Sequence, residues 1–330
     1  MSALVERERE EAVRQPLGRA VAQVLGHRLD GLRRLTGGSK KGVYRLHLDG
    51  GASVIAYLWS AEEDFWPERP DHAAAAGDPL AHPSGLDLFE AAHHRLDSLG
   101  LRTPRLLHAD RSHTLLPADL ALVEDLPLGS LEPMLEQDPA AARPVLDRLA
   151  HTLDVLHGDT APRMGKVAQP VTGPTTCEQL VLDRALRDLA EAADREPRLA
   201  AVRGAVADLL HTRAAEIRPR TRYRLIHGEL GPDHVLVDRR GEPVLIDIEG
   251  LMYFDVEWEH VFLRIRFRDH YPRLATATLD PHRLALYEPA MRLSLVAGPL
   301  RLLDGGFPGD RAVMRGIAAH NLEQLLAGLG

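Results

Sequence analysis

Two acids and two histidines crowd into one short stretch of this chain. His227, Glu229 and His234 fall in a polar loop after the apolar run Tyr223-Arg-Leu-Ile226, and Asp247 follows within Val244-Leu-Ile-Asp-Ile248. The turn Arg239-Arg-Gly-Glu242 joins two apolar runs. Pro243 opens the second run, where a missing backbone donor is tolerated. Strand, loop and hairpin would gather these side chains at neighbouring strand ends. Such a set suits phosphoryl transfer, in which one acid orients an attacking hydroxyl while other groups hold Mg²⁺ against a nucleotide's phosphates. Two other readings use the same residues. One is a β-hairpin with an ordinary polar loop. The other is a zinc hydrolase built on His227, Glu229 and His234, although zinc needs three convergent ligands and only Asp247 offers a further partner.

The elements that must carry these groups are legible around them. A charged, helical lead-in runs to about Leu32. Gly37, Gly38 and Ser39 then give way to alternation, with Val43, Arg45 and His47 on one face and Tyr44, Leu46 and Leu48 on the other. Asp49-Gly50-Gly51 is a hairpin turn, and Ser53 to Trp59 is the returning strand. A glycine turn followed by a hairpin makes a flap able to cover phosphates, since glycine lets backbone N–H groups approach closely. Residues 60–85, rich in Pro, Asp, Glu and Ala, form a long connection expected to be a lid or disordered. Leu86 to Leu99 shows helical spacing closed by Gly100. Short strands follow near Arg105 to His108 and Leu120 to Glu124. After Asp125-Leu-Pro-Leu-Gly-Ser130 the pattern turns helical as far as Thr221 and again beyond Glu257. The switch near residue 126 divides the chain into residues 1–125 and 126–330.

Composition narrows the partners. The 330 residues carry a formal charge of −8, with basic and acidic residues interspersed. No basic stripe marks a nucleic-acid face. Cys177 is the single cysteine, so neither an internal disulfide nor a thiolate metal site is expected. The first fifteen residues lack the apolar core of a signal peptide, and no run approaches the roughly 20 apolar residues that span a bilayer. A cytoplasmic protein without membrane contact is expected, its oligomeric state unread.

In order and spacing these parts resemble the aminoglycoside phosphotransferase family, small-molecule kinases of the protein-kinase-like fold. Gly37-Gly-Ser-Lys-Lys-Gly-Val-Tyr-Arg-Leu46 is similar to the family's nucleotide loop G-G-x-x-N-x-x-Y-x-V. Glu90 resembles its helix glutamate, and Leu122-Val-Glu-Asp-Leu126 its strand and hinge. His227-Gly-Glu-Leu-Gly-Pro-Asp-His234 resembles H-G-D-x-x-x-x-N, and Leu245-Ile-Asp-Ile-Glu249 the metal motif I-D-[WFL]-E. The resemblance spans Leu35 to about Phe267. It implies an α+β, bilobal fold with a small β-rich N-lobe and a larger, mainly helical C-lobe, and transfer of phosphate from ATP, with Mg²⁺, to a hydroxyl of a small molecule.

Carried over residue by residue, the resemblance makes Glu229 the catalytic carboxylate and His234 and Asp247 the metal ligands. Gly37, Gly38, Ser39, Lys40 and Lys41 would cover the phosphates, and Glu124 and Leu126 would receive adenine. His227 and Asp255 would be structural, and Asp233 either a ligand or a turn cap. The acceptor would lie near Glu257, Glu259 and the C-terminal helices, where acids suit a cationic substrate or simply decorate a solvated face. Three positions depart from the pattern. Glu229 replaces Asp, keeping the carboxylate (pKa about 4.3 against 3.9) on a longer stem. His234 replaces Asn, as in the macrolide-directed members. Tyr57, in Val54-Ile-Ala-Tyr57, stands where the phosphate-pairing lysine belongs, which leaves Lys40 or Lys41 to supply the cation. Those departures also admit a catalytically degenerate binding or regulatory protein.

Overall fold

Buried residues alternate with more exposed ones in residues 42–48, and the strands of residues 29–59 pair into an antiparallel sheet. β1 (Leu29–Arg34), β2 (Gly42–Leu48), β3 (Ser53–Trp59), β4 (Leu106–Asp110) and β5 (Asp119–Glu124) lie in the order β1-β2-β3-β5-β4. The computed structural model describes residues 3–35, 38–66, 78–305, 307 and 309–329. The opening segment is not one helix to Leu32: α1 (Ala3–Leu25) ends earlier, and Leu29–Arg34 pairs with β2, where Leu32 faces Leu46. Backbone pairing along a sheet edge overrides the charge of that stretch.

The sheet has two buried faces. Tyr44, Leu46, Val54, Ala56, Leu58 and Leu122 pack on Leu17, Ala20 and Val21 of α1. Ile55, Tyr57 and Trp59 point the other way, onto α2 (Leu86–Ser98) and into a core shared with the helical part. There Tyr57 meets Phe89 edge-on at 5.6 Å and Trp59 at 6.0 Å between centroids. Such aromatic pairs add about 0.5–1.5 kcal/mol each beyond area burial. Tyr57 is therefore a core residue of the N-lobe.

The C-lobe begins with α3 (Leu131–Gln137) and α4 (Pro139–Gly158), whose Leu146, Leu149 and Leu153 join that shared core. Short strands β6 (Thr160–Ala161), β7 (Gly165–Lys166) and β8 (Gln169–Pro170) fall between Gly158 and Cys177, in a stretch where the sequence shows only a mainly helical region. They pair with β9 (Tyr223–Ile226) and β12 (Met252–Phe254) in a second sheet, ordered β6-β9-β12-β7-β8. Two- and three-residue strands carry no periodicity of their own, so only the tertiary partners reveal them. The hairpin β10 (Val235–Val237) and β11 (Pro243–Leu245) pairs Val235 with Leu245. The remaining helices are α5 (Cys177–Ala193), α6 (Pro197–Ala200), α7 (Arg203–Ala215), α8 (Val256–Phe267), α9 (Pro281–Asp304) and α10 (Arg311–Ala327). Among the described residues no helix is long and apolar enough to cross a membrane.

The connection after β3 is not loose where it is described. Glu63 is 5 % exposed and receives the Tyr44 hydroxyl and the Arg34 guanidinium, the latter at 2.7 Å. Phe65 N–H donates to the Ser39 carbonyl at 2.9 Å. The Trp66 indole N–H donates to Ser39 Oγ at 3.1 Å, and a Cβ on Gly298 of α9 would lie 3.5 Å from its ring. Residues 67–77 of this connection lie outside the described residues.

Candidate active site

Two backbone turns set the site. Gly228 adopts φ 92°, a conformation glycine takes without the Cβ penalty, and it follows β9 at the mouth of the cleft. Asp247 follows β11 with φ 57° and ψ 45°, left-handed for a non-glycine residue. Aspartate tolerates that region better than most residues, and strain of this kind concentrates where side chains are aimed at a task. Here it turns the carboxylate toward the glycine loop. Gly38 serves the same end from the N-lobe, because a Cβ there would lie 2.8 Å from the Lys41 carbonyl oxygen. The tight turn points both loop lysines downward. Gly37, the other expected glycine, lies outside the described residues.

The lysines meet the acids directly. Lys40 Nζ donates to Glu229 Oε2 at 2.7 Å and stands 3.9 Å from Asp247 Oδ2. Lys41 Nζ donates to Asp247 Oδ1 at 2.7 Å and to Glu249 Oε1 at 2.5 Å. Lys41 also sits over the Tyr57 ring, 5.2 Å from its centroid, so its ammonium occupies the space above the β3 position that lacks a lysine. Glu90 is not part of this cluster; its carboxylate binds Arg111, just after β4.

Charge in the cluster is mutually fixed. Burial alone would raise the Glu229 carboxyl, but the adjacent Lys40 ammonium prevails and draws it down to about 2. Burial likewise opposes ionisation of Asp247, yet Lys41, Lys40 and His234 hold it well below the usual carboxylate range. Both lysines are buried and would lose their protons on that ground, but the carboxylates raise their pKa values above the ordinary lysine range. Glu229 keeps half of its side chain open to the cleft.

His234 and Asp247, the expected metal ligands, lie next to each other. His234 Nδ1 lies 2.7 Å from the Glu229 carbonyl oxygen, an acceptor only, so Nδ1 donates there and Nε2 is the nitrogen turned toward the cleft. That Nε2 stands 3.9 Å from Asp247 Oδ2. One imidazole nitrogen and one carboxylate suit an ion that takes its other ligands from phosphate oxygens and water, as Mg²⁺ does. Among the described residues no group of three His, Cys, Asp or Glu side chains is placed to hold a metal ion. His227 is committed elsewhere: its Nε2 lies 2.9 Å from the Ile246 carbonyl, and burial lowers its pKa.

The loop rests on a residue that the sequence offers either as a neighbour of the acceptor or as an acid on a solvated face. Glu259, fully buried on α8, accepts His227 N–H and Gly228 N–H at 3.1 Å each and faces His157 Nε2 at 3.1 Å. Glu257 is equally buried and bound to Arg220 at 2.6 Å through both oxygens. Both carboxylates are buried and engaged within the protein rather than solvated. The first turn of α8 points into the C-lobe core, a direction that charge alone does not reveal. Asp255 accepts from Tyr287 at 2.5 Å and from Arg283, and Asp233 from Arg266 at 2.7 Å, so both tie elements together.

At the hinge the structure qualifies one expectation. The Glu124 N–H already donates to the Arg105 carbonyl at 3.0 Å, and its carboxylate binds Arg102. Asp125 is tied to Arg45 and, at 2.6 Å, to Ser53, which leaves Leu126 as the first hinge residue beyond these ties.

Comparison with known proteins places the chain in context. The sequence profile of the phosphotransferase enzyme family matches residues 31–294. No curated protein matches significantly in sequence. Choline kinase LicA from Streptococcus pneumoniae superposes with a TM-score of 0.65 at 14% identity, covering 96% of this chain and 99% of that one. Spectinomycin phosphotransferase APH(9)-Ia, in complex with ADP and spectinomycin, gives 0.62 at 12% identity, covering 93% of each chain. A thermostable mutant of aminoglycoside phosphotransferase APH(4)-Ia, in a ternary complex with AMP-PNP and hygromycin B, gives 0.59 at 17% identity, covering 93% of this chain and 97% of that one. Likeness at these identities is one of fold: a β-sheet N-lobe on a helical C-lobe.

Proposed function

The chain belongs to the phosphotransferase enzyme family, and from that premise we propose that it transfers the γ-phosphoryl group of ATP to a hydroxyl of a small molecule. The observation that carries this reading is the convergence of Glu229 and Asp247 on the two loop lysines. Glu229 orients the acceptor hydroxyl and takes its proton. The acceptor oxygen forms a bond to the γ-phosphorus as the bond from that phosphorus to the β–γ bridging oxygen breaks, releasing ADP. Lys40 exchanges Glu229 for a phosphate oxygen, which frees the carboxylate for the acceptor. Lys41 remains beside Asp247 and supplies the fixed cation that other enzymes place on β3. Mg²⁺, when bound, would neutralise β- and γ-phosphate oxygens, held by His234 Nε2 and Asp247. Gly38 and Ser39 bring backbone N–H groups over the phosphates, and the hinge at Leu126, beyond the backbone-bonded Glu124, receives adenine. The lobe boundary at 125/126 falls at this hinge.

The test is direct. Millimolar MgATP should raise the melting temperature by mass action, and a screen of hydroxylated small molecules should find nucleotide consumption that Asp247→Ala abolishes. Absence of any thermal shift would overturn the reading.

A further inference from the structure

Glu249 lies two residues beyond Asp247, in the turn Ile248–Gly250 that leads from β11 to β12. It is 3 % exposed, and its Oε1 accepts from Lys41 Nζ at 2.5 Å. Its Oε2 is buried with no hydrogen-bond partner among the described residues. Ile248 of the same turn shares a buried core with Leu86 and Phe89 of α2, so this carboxylate is carried by packed structure and not by an open loop. A carboxylate at that depth is stable as an anion only beside a cation. Lys41 is that cation.

Lys41 has the weaker support of the two, since its backbone belongs to the glycine loop and its four-carbon stem is flexible. Two of its three N–H donors go to Asp247 and Glu249, which leaves one for a phosphate oxygen. The two acids are not equivalent. Asp247 must share its charge with a metal ion when one binds, and its hold on the ammonium then weakens. Glu249 keeps its charge for Lys41 and has a second oxygen, Oε2, open to the same ammonium. Resting on the phosphotransferase reading above, we infer that Glu249 is a positioning residue: it holds the Lys41 ammonium over Tyr57, beside the nucleotide's phosphates, while Asp247 serves the metal. Protein kinases pair a strand lysine with a helix glutamate to that end. Here Tyr57 fills the strand position and Glu90 is bound to Arg111, so the pair runs instead from the glycine loop to the turn after β11.

Calorimetric titration of the whole chain with MgATP, without acceptor, tests this in the wild type, Glu249→Gln, Lys41→Met and the double variant. Glu249→Gln should raise the dissociation constant about tenfold. In the Lys41→Met background the same change should add less than about twofold, because its partner is already gone. Urea unfolding without nucleotide gives a second reading, in which the sign reverses. Glu249→Gln should destabilise the wild type, but it should stabilise Lys41→Met, where the buried carboxylate has lost its cation. Affinity losses that multiply in the double variant, an unchanged dissociation constant in Glu249→Gln, or destabilisation in both backgrounds would each overturn the inference. So would a raised Mg²⁺ requirement in Glu249→Gln that persists in Lys41→Met, the mark of a metal ligand. A wild-type chain that binds no MgATP would sink the phosphotransferase reading as well, whereas failure of the double-variant comparison leaves that reading standing.

Discussion

Lys40 Nζ and Glu229 Oε2 lie 2.7 Å apart, although 188 residues separate them in the chain and they belong to different lobes. The pair holds the proposed base ionised far below the usual glutamate range, at about 2. Protonation of Glu229 should therefore not limit kcat/KM for nucleotide until the pH falls well under that of an ordinary glutamate. In Lys40→Ala the carboxyl loses its main stabilising charge, so the acid limb should move upward. A pH profile of both proteins checks this, and coincident limbs would refute the assignment.

Lys41 makes a second, separable prediction. Its ammonium is the cation nearest Asp247 and stands over Tyr57. Charge-assisted hydrogen bonds are worth about 1.5–3 kcal/mol, so Lys41→Met should raise the dissociation constant for MgATP by about 10- to 100-fold. Calorimetric titration gives the number. Lys40→Met should act more on kcat than on nucleotide affinity.

Shortening the base should be costly but not fatal. Glu229→Asp withdraws the carboxylate by about one methylene, and misplacement near 1 Å costs on the order of 100-fold in such sites. Glu229→Gln, which keeps the length and removes the base, should lower kcat further. Steady-state kinetics with a saturating acceptor would distinguish position from charge.

Glu259 should matter to the fold and the reaction together. Glu259→Ala leaves the His227 and Gly228 N–H groups buried without an acceptor, at about 1–3 kcal/mol each. A lowered melting temperature and a fallen kcat are expected, whereas Glu259→Gln, which keeps one acceptor oxygen, should recover part of both.

Acid sensitivity should trace to a buried imidazole. Burial lowers the His260 pKa to about 4, with His157 adding to the effect while Glu259 and Glu257 oppose it. Between that value and the unfolded value near 6.5 the unfolded chain binds the proton and the folded one does not, so stability falls as the pH drops through this window. The full loss amounts to about 3 kcal/mol. Urea unfolding at pH 7 and pH 5 should show it, and His260→Phe should flatten the difference.

Much of this was legible in residue order. Alternation in residues 43–48 fixed which side of β2 meets α1, and the spacing from His227 to Asp247 brought acid and imidazole to one place. The charged lead-in concealed β1, because a sheet edge needs only backbone groups to pair. Two-residue strands such as Thr160–Ala161 left no period to read. The inward turn of Glu257 and Glu259 was hidden for a related reason: their partners, Arg220 and the loop amides, come from other parts of the chain. Conversely, the sequence raised the lysine pair as substitutes for the missing β3 cation, and only coordinates could divide their roles between Glu229 and Asp247.

The indole of Trp66 leaves a mechanical consequence. It grips Ser39 on the phosphate flap with its N–H while its ring lies against Gly298 of the distant helix α9. A swing of the flap away from Glu229 and Asp247 must first unfasten that tether. Bulk at residue 298 would wedge it, jamming the jaws of the enzyme from a point remote from the reacting atoms.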